Sequence, residues 1–155
     1  MTARAGSAAY AGTTIQRIAL IVGIAFLLLG VAGFLPGITS DLGELRFAGP
    51  SSQAYLFGVL QVSVLHNAVH LAFGVVGVIV AAHPTASRHF LLWGGVLNAA
   101  LWTYGLFTGG REGDVLPMNR AAVWVHLGMA VIMVLLALLA GRDPRTKDTG
   151  IKQLD

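Results

Sequence analysis

Cysteine is absent from this chain of 155 residues, which excludes disulfides, thiolate metal sites and cysteine nucleophiles. Charge is scarce as well: Asp, Glu, Lys and Arg make up 11% of the residues and hydrophobic residues 55%, with a mean hydropathy of +0.74. A soluble domain with an ordinary charged surface cannot be built from that composition. None of the 7 acidic residues falls inside the long apolar runs. Those runs therefore hold no carboxylate to complete a His-carboxylate metal site, orient a catalytic histidine or partner a proton relay. Ser51, Ser52 and Ser63 lack the context of a nucleophile elbow, so no enzymatic activity is expected. The pI near 9.8 does not point to nucleic acid, because the net charge is only +3 and the basic residues flank apolar runs without interleaved aromatics.

What is present is lipid-compatible sequence. A hydrocarbon core of about 30 Å needs about 20 apolar residues per helix, and four segments meet that length: 14–35, 54–82, 87–108 and 119–140. The expectation is an all-α polytopic membrane protein with four transmembrane helices arranged as two hairpins over residues 14–141. A flexible tail, 1–13, precedes the bundle and a charged tail, 142–155, follows it. A cleaved signal peptide is the competing reading of the first segment, but its apolar stretch is too long and three more follow. Arg4, Arg17, Arg88, Arg142, Arg145, Lys147 and Lys152 fall on the side of the termini, against Arg46, Arg111 and Arg120 on the other. Basic residues stay inside, so both termini are expected to be cytoplasmic in a plasma membrane.

Within the second segment, Gln61-Val-Ser63-Val-Leu-His66-Asn67-Ala-Val-His70 sets polar groups where they are expensive. Ser63, His66, Asn67, His70, Gly74, Gly77 and Ala81 share one helical face. Asn98 lies near the middle of the third segment, on a face with Gly94, Trp102 and Gly105. Asn119 is placed to cap the fourth segment, where Ala122, His126, Ala130, Met133, Ala137 and Ala140 form one stripe. Small residues at Gly23, Gly30, Gly33, Gly74, Gly77 and Gly94 are the expected packing seams, since they let backbones approach closely in lipid. Between the first two segments, Pro36-Gly37 stops the helix and the chain to Gln53 reads as a solvated connector. Val69-His70-Leu71 and Val125-His126-Leu127 align as a faint internal repeat, consistent with a duplicated hairpin related by a parallel pseudo-two-fold axis.

Three stretches, Gly30-Val-Ala-Gly33-Phe-Leu-Pro-Gly37, Leu56-Phe-Gly-Val-Leu-Gln61 through Gly74, and Val125-His126-Leu127-Gly128, carry a family likeness. The sequence resembles the actinobacterial membrane family catalogued as domain of unknown function 4383, over nearly all of the core from Ile15 to Ala140. The resemblance implies a bacterial membrane protein and singles out the Phe-Gly-x-x-Gln...His-Asn-x-x-His-Leu-x-x-Gly run. The chain departs from the family where Val123, Trp124 and Val125 replace an acidic residue and an asparagine before the fourth-segment His-Leu.

The polar intramembrane cluster is Gln61, His66, Asn67, His70, Asn98 and His126, and its preferred reading is hydrogen-bond glue between helices. That makes the chain an accessory or structural subunit in a larger membrane assembly or a homo-oligomer, with lipid and other membrane subunits as partners. No cofactor or metal is expected. The alternatives are a histidine-lined ligand site for haem, metal or quinone, with His66, His70 and His126 as candidate ligands, and a minimal transporter.

Overall fold

The computed structural model describes residues 9–140; the expected charged C-terminal tail and the first eight residues lie outside the described part. Four helices, α1 (Thr14–Ala32), α2 (Val64–Val80), α3 (Pro84–Thr108) and α4 (Arg120–Leu139), are joined by a small three-stranded sheet between α1 and α2. By length and composition α1, α3 and α4 suffice to cross a membrane, while α2, at 17 residues, is shorter. At 1.5 Å per residue α2 extends for about 25 Å.

α1 opens with a capping box. Thr13 accepts from the Gln16 amide and the Gln16 side chain accepts in return from the Thr13 backbone, satisfying donors that a helix start otherwise leaves orphaned. α1 ends at Ala32 rather than at residue 35 as expected. Phe34 and Leu35 donate to Val31 and Ala32, three residues back, so the last turn tightens ahead of Pro36, which has no amide to continue it.

The main departure from the sequence-based expectation lies between residues 37 and 63. The connector and the start of the expected second helix form β1 (Thr39–Ser40), a 3-10 turn at Leu42–Glu44, β2 (Ala54–Leu56) and β3 (Leu60–Val62). The strands pair antiparallel in the order β1-β2-β3, with Ser40 opposite Tyr55 and Tyr55 opposite Gln61. An apolar run this short fits strand and helix equally well, and two local signals settle it. Phe57 and Gly58 adopt left-handed backbone, with φ of 54° and 69°, and turn the chain into a hairpin. Ser63 then accepts from the His66 amide at 3.1 Å and caps a helix that starts only at Val64.

Close backbone approach packs α1 on α2. A Cβ at Gly23 would lie 2.8 Å from the backbone of Gly77 and Val78, and one at Gly74 would lie 2.6 Å from the Leu27 amide nitrogen. Gly30 faces Leu71 and the Asn67 carbonyl, and Gly33 leaves room for the Asn67 amide. On the other side, Gly94 fits against Met133 and Phe73, Gly95 against Val134, and Gly105 against Val123. At one end of the bundle Ala11 and Gln16 both bond to the Ala81 carbonyl, so the start of α1 meets the end of α2. At the other end the sheet and the α3–α4 loop meet, with Gly49 donating to Val115 at 3.2 Å.

Candidate functional site

The third and seventh residues of α2 are His66 and His70, separated by one turn so that both rings project from the same side. His126 occupies the seventh position of α4. Asn119 sets the start of α4: its Oδ1 accepts from Ala122 at 3.1 Å as the N-cap, and its Nδ2 donates to the Val59 carbonyl at 2.7 Å. The same side chain therefore ties α4 to the β2–β3 hairpin, just ahead of α2, and brings the two histidine-bearing turns to one level.

There the three imidazoles converge. Ring centroids are 4.6 Å apart for His66 and His70, 5.5 Å for His66 and His126, and 6.4 Å for His70 and His126. One ring nitrogen from each lies within 4.8 Å of the others. The residues are only 5%, 8% and 3% exposed. Phe26 of α1 closes one side, edge-on to His70 at 5.4 Å.

His126 Nδ1 sits 2.8 Å from the Ala122 carbonyl. A carbonyl only accepts, so Nδ1 carries the proton and Nε2 of the neutral ring presents a lone pair. That Nε2 has no hydrogen-bond partner, and neither has His66 Nδ1 or His70 Nδ1. Buried nitrogens without partners are expensive. Here three of them occur in one cluster.

The other members of the expected polar cluster are placed elsewhere. Gln61 is a β3 residue, not a helical one, and donates to the Ser52 carbonyl at 2.8 Å. Asn67 is fully buried and turned toward α1, donating to Gly33 at 2.9 Å. Asn98 donates to Gly94 within its own helix and touches the Met133 sulfur, 3.8 Å away, seven residues along α4 from His126. Among the described residues, no hydrogen bond joins any two of these six side chains, and Asn67 Oδ1 and Asn98 Oδ1, like one nitrogen of each histidine, have no partner.

Polar residues outside that expected cluster do more of the tying. Gln16 joins α1 to α2, Ser52 donates to Val62 at 2.7 Å inside the sheet, and buried Asp114 accepts from the Tyr104 hydroxyl at 3.1 Å and the Gly110 amide at 3.2 Å. Thr13-x-x-Gln16 was legible as a capping box. Asp114 and Tyr104, ten residues apart, carried no comparable signal. Between the sheet and the α3–α4 loop lies a cavity of about 580 Å³ bordered by Tyr55, Gln61, Asp114, Met118 and Asn119.

A family profile described as a domain of unknown function, DUF4383, matches residues 16–139. The chain belongs to the DUF4383 family. No curated protein and no solved structure matches it. In this DUF4383 chain the matched region runs from the Gln16 capping residue to the end of α4, and so contains the sheet and all three converging histidines.

Proposed function

We propose that the chain is an integral membrane protein whose helices hold an imidazole-lined ligand site in the outer half of the bilayer, near the sheet. The observation that carries this reading is the convergence of three buried imidazoles, a nitrogen of each within 4.8 Å of the others, each ring also carrying a buried nitrogen that no protein group satisfies. Purely structural histidines would be expected to pair with one another or with the backbone, because an unmade buried hydrogen bond costs about 1–3 kcal/mol. The glycine seams remain structural, but the histidines call for a guest.

The chemistry of the rings narrows that guest. His126 Nε2 presents a lone pair, so the guest must accept electron pairs or donate protons there. A quinone offers only carbonyl acceptors and does not suit it.

In the membrane, α1, α3 and α4 span directly, and α2 spans with the sheet extending its outer end. Both termini face the cytoplasm by the distribution of basic residues.

Native mass spectrometry of protein extracted into lipid nanodiscs tests the site. Wild type is expected to carry one additional mass, metal or organic, that is missing when His66, His70 and His126 are all replaced by Leu. Identical masses for both, with a leucine variant at least as heat-stable as wild type, would refute the ligand site and return the histidines to a packing role.

A further inference from the structure

We propose that the guest is a divalent first-row transition-metal ion, bound by His66, His70 and His126 with a fourth coordination position left open for an anion. This rests on the ligand-site reading above and names its chemical class. Three imidazoles and one open position form a recognised donor set for zinc and its neighbours, and imidazole nitrogen is the ligand type these ions prefer.

Geometry supports the assignment. Two of the rings are related by i, i+4 spacing on one helix, the arrangement that lets a pair of histidines share an ion. The third arrives from a different element, so the set surrounds a point instead of lying along a line. Nitrogens at about 2.0–2.1 Å from a tetrahedral ion are about 3.3–3.4 Å apart, so a set within 4.8 Å closes on the ion with ring movements of under about 1 Å. The supporting contacts are also those of a metal site. A metal-binding histidine commonly donates its second ring nitrogen to a carbonyl or carboxylate, which fixes the tautomer and aims the lone pair. His126 does so through Ala122 at 2.8 Å.

Charge decides the fourth ligand. None of the four helices contains Asp or Glu, so the imidazole set is neutral and a divalent ion would bring its whole charge into an apolar bundle. An anion on the open position, such as hydroxide or chloride, halves that charge. The N-termini of α2 and α4 both point toward the sheet end, and their dipoles favour the anion as well.

The test uses the full-length protein in detergent, stripped with a chelator and titrated with Co(II) as a visible probe. One equivalent is expected to give the intense visible absorption of a four-coordinate centre, which one equivalent of Zn(II) then removes. Added chloride or azide is expected to shift the Co(II) bands, reporting the open position. His126→Gln is expected to weaken binding by more than the roughly 10–100-fold that losing a supporting hydrogen bond costs a metal site, with unchanged helical content by circular dichroism. Should that variant fail to fold, X-ray absorption on Zn(II)-loaded wild type decides the matter by counting bound imidazoles. Three confirm the site, and fewer overturn it. Absence of Co(II) and Zn(II) binding, with an organic guest retained by wild type and lost from the leucine variant, overturns the metal but keeps the ligand site. Absence of both guests overturns both.

Discussion

Gln16 gathers four side-chain hydrogen bonds in a fully buried position. Its Oε1 accepts from the Thr13 amide and hydroxyl, and its Nε2 donates to the carbonyls of Ala9 and Ala81. Replacement by leucine keeps the volume and strands those partners, so Gln16→Leu should cost about 1–3 kcal/mol. Thermal unfolding in detergent is the measurement, and a melting temperature equal to wild type would contradict the assigned bonds. Tyr104 has a similar role on the opposite end: its hydroxyl donates to Asp114 and accepts from the Val115 amide at 2.7 Å. Tyr104→Phe removes both at once and should expose the Gly109–Met118 loop to limited proteolysis. Asp114→Asn should add little on top of it, because the two residues act through one contact. Fully additive effects would show them to be independent.

Among the elements, the seam between α1 and α2 is set by backbone, which cannot move aside as a side chain can. A methyl at Gly74 would meet the Leu27 nitrogen at 2.6 Å and the Gly23 carbonyl oxygen at 2.7 Å, whereas one at Gly128 meets nothing within 4 Å. Gly74→Ala should therefore destabilise by about 1–3 kcal/mol through overpacking. Gly128→Ala should be neutral or stabilise by about 0.5–1 kcal/mol, the helix-propensity difference between the two residues. Paired denaturation curves separate them, and equal shifts would mean that the seam yields. The start of α2 depends on Ser63, and Ser63→Ala should cost about 0.5–2 kcal/mol as an N-cap loss. His66, whose amide Ser63 receives, should then show a weaker hold on any guest.

For the molecule as a whole, the ends of the bundle differ in kind. One end carries the α1 start and the α2–α3 junction, joined at Ala81, and the other carries the sheet and the α3–α4 loop. Ser51 and Gly113 are both exposed at the sheet end. Single cysteines there, in a chain that has none of its own, should react together with an impermeant maleimide from outside intact cells. A cysteine at His83 should not. Labelling at His83 from outside, with silence at the other two, would invert the orientation and move the histidine cluster to the inner half of the bilayer.

Composition by itself points to lipid as the solvent and to four spanning segments, of which α1, α3 and α4 are helices long and apolar enough to cross a membrane. Chain length in an apolar run is a one-dimensional property, and caps such as Thr13 and Asn119 act within one turn. The i, i+4 pairing of His66 and His70 was equally local. Residues 54–62 were read as helix because an apolar run has no strong period of its own. What made them a sheet was the left-handed turn at Phe57-Gly58, which is local, together with the partner strand at Thr39–Ser40, a contact that lies outside the apolar run. The hairpin, which pairs Gln61 with Tyr55, moved Gln61 out of the polar cluster. Asn67 and Asn98 are placed in that cluster by depth and by a helical face about 100° wide, but a face that wide does not fix which neighbour a side chain meets, and packing turned one toward Gly33 and the other toward Gly94. Only the tertiary structure joined His126 to the α2 pair, because Asn119 bonds at once to its own helix and to the β2–β3 hairpin and so fixes the height of α4 against α2.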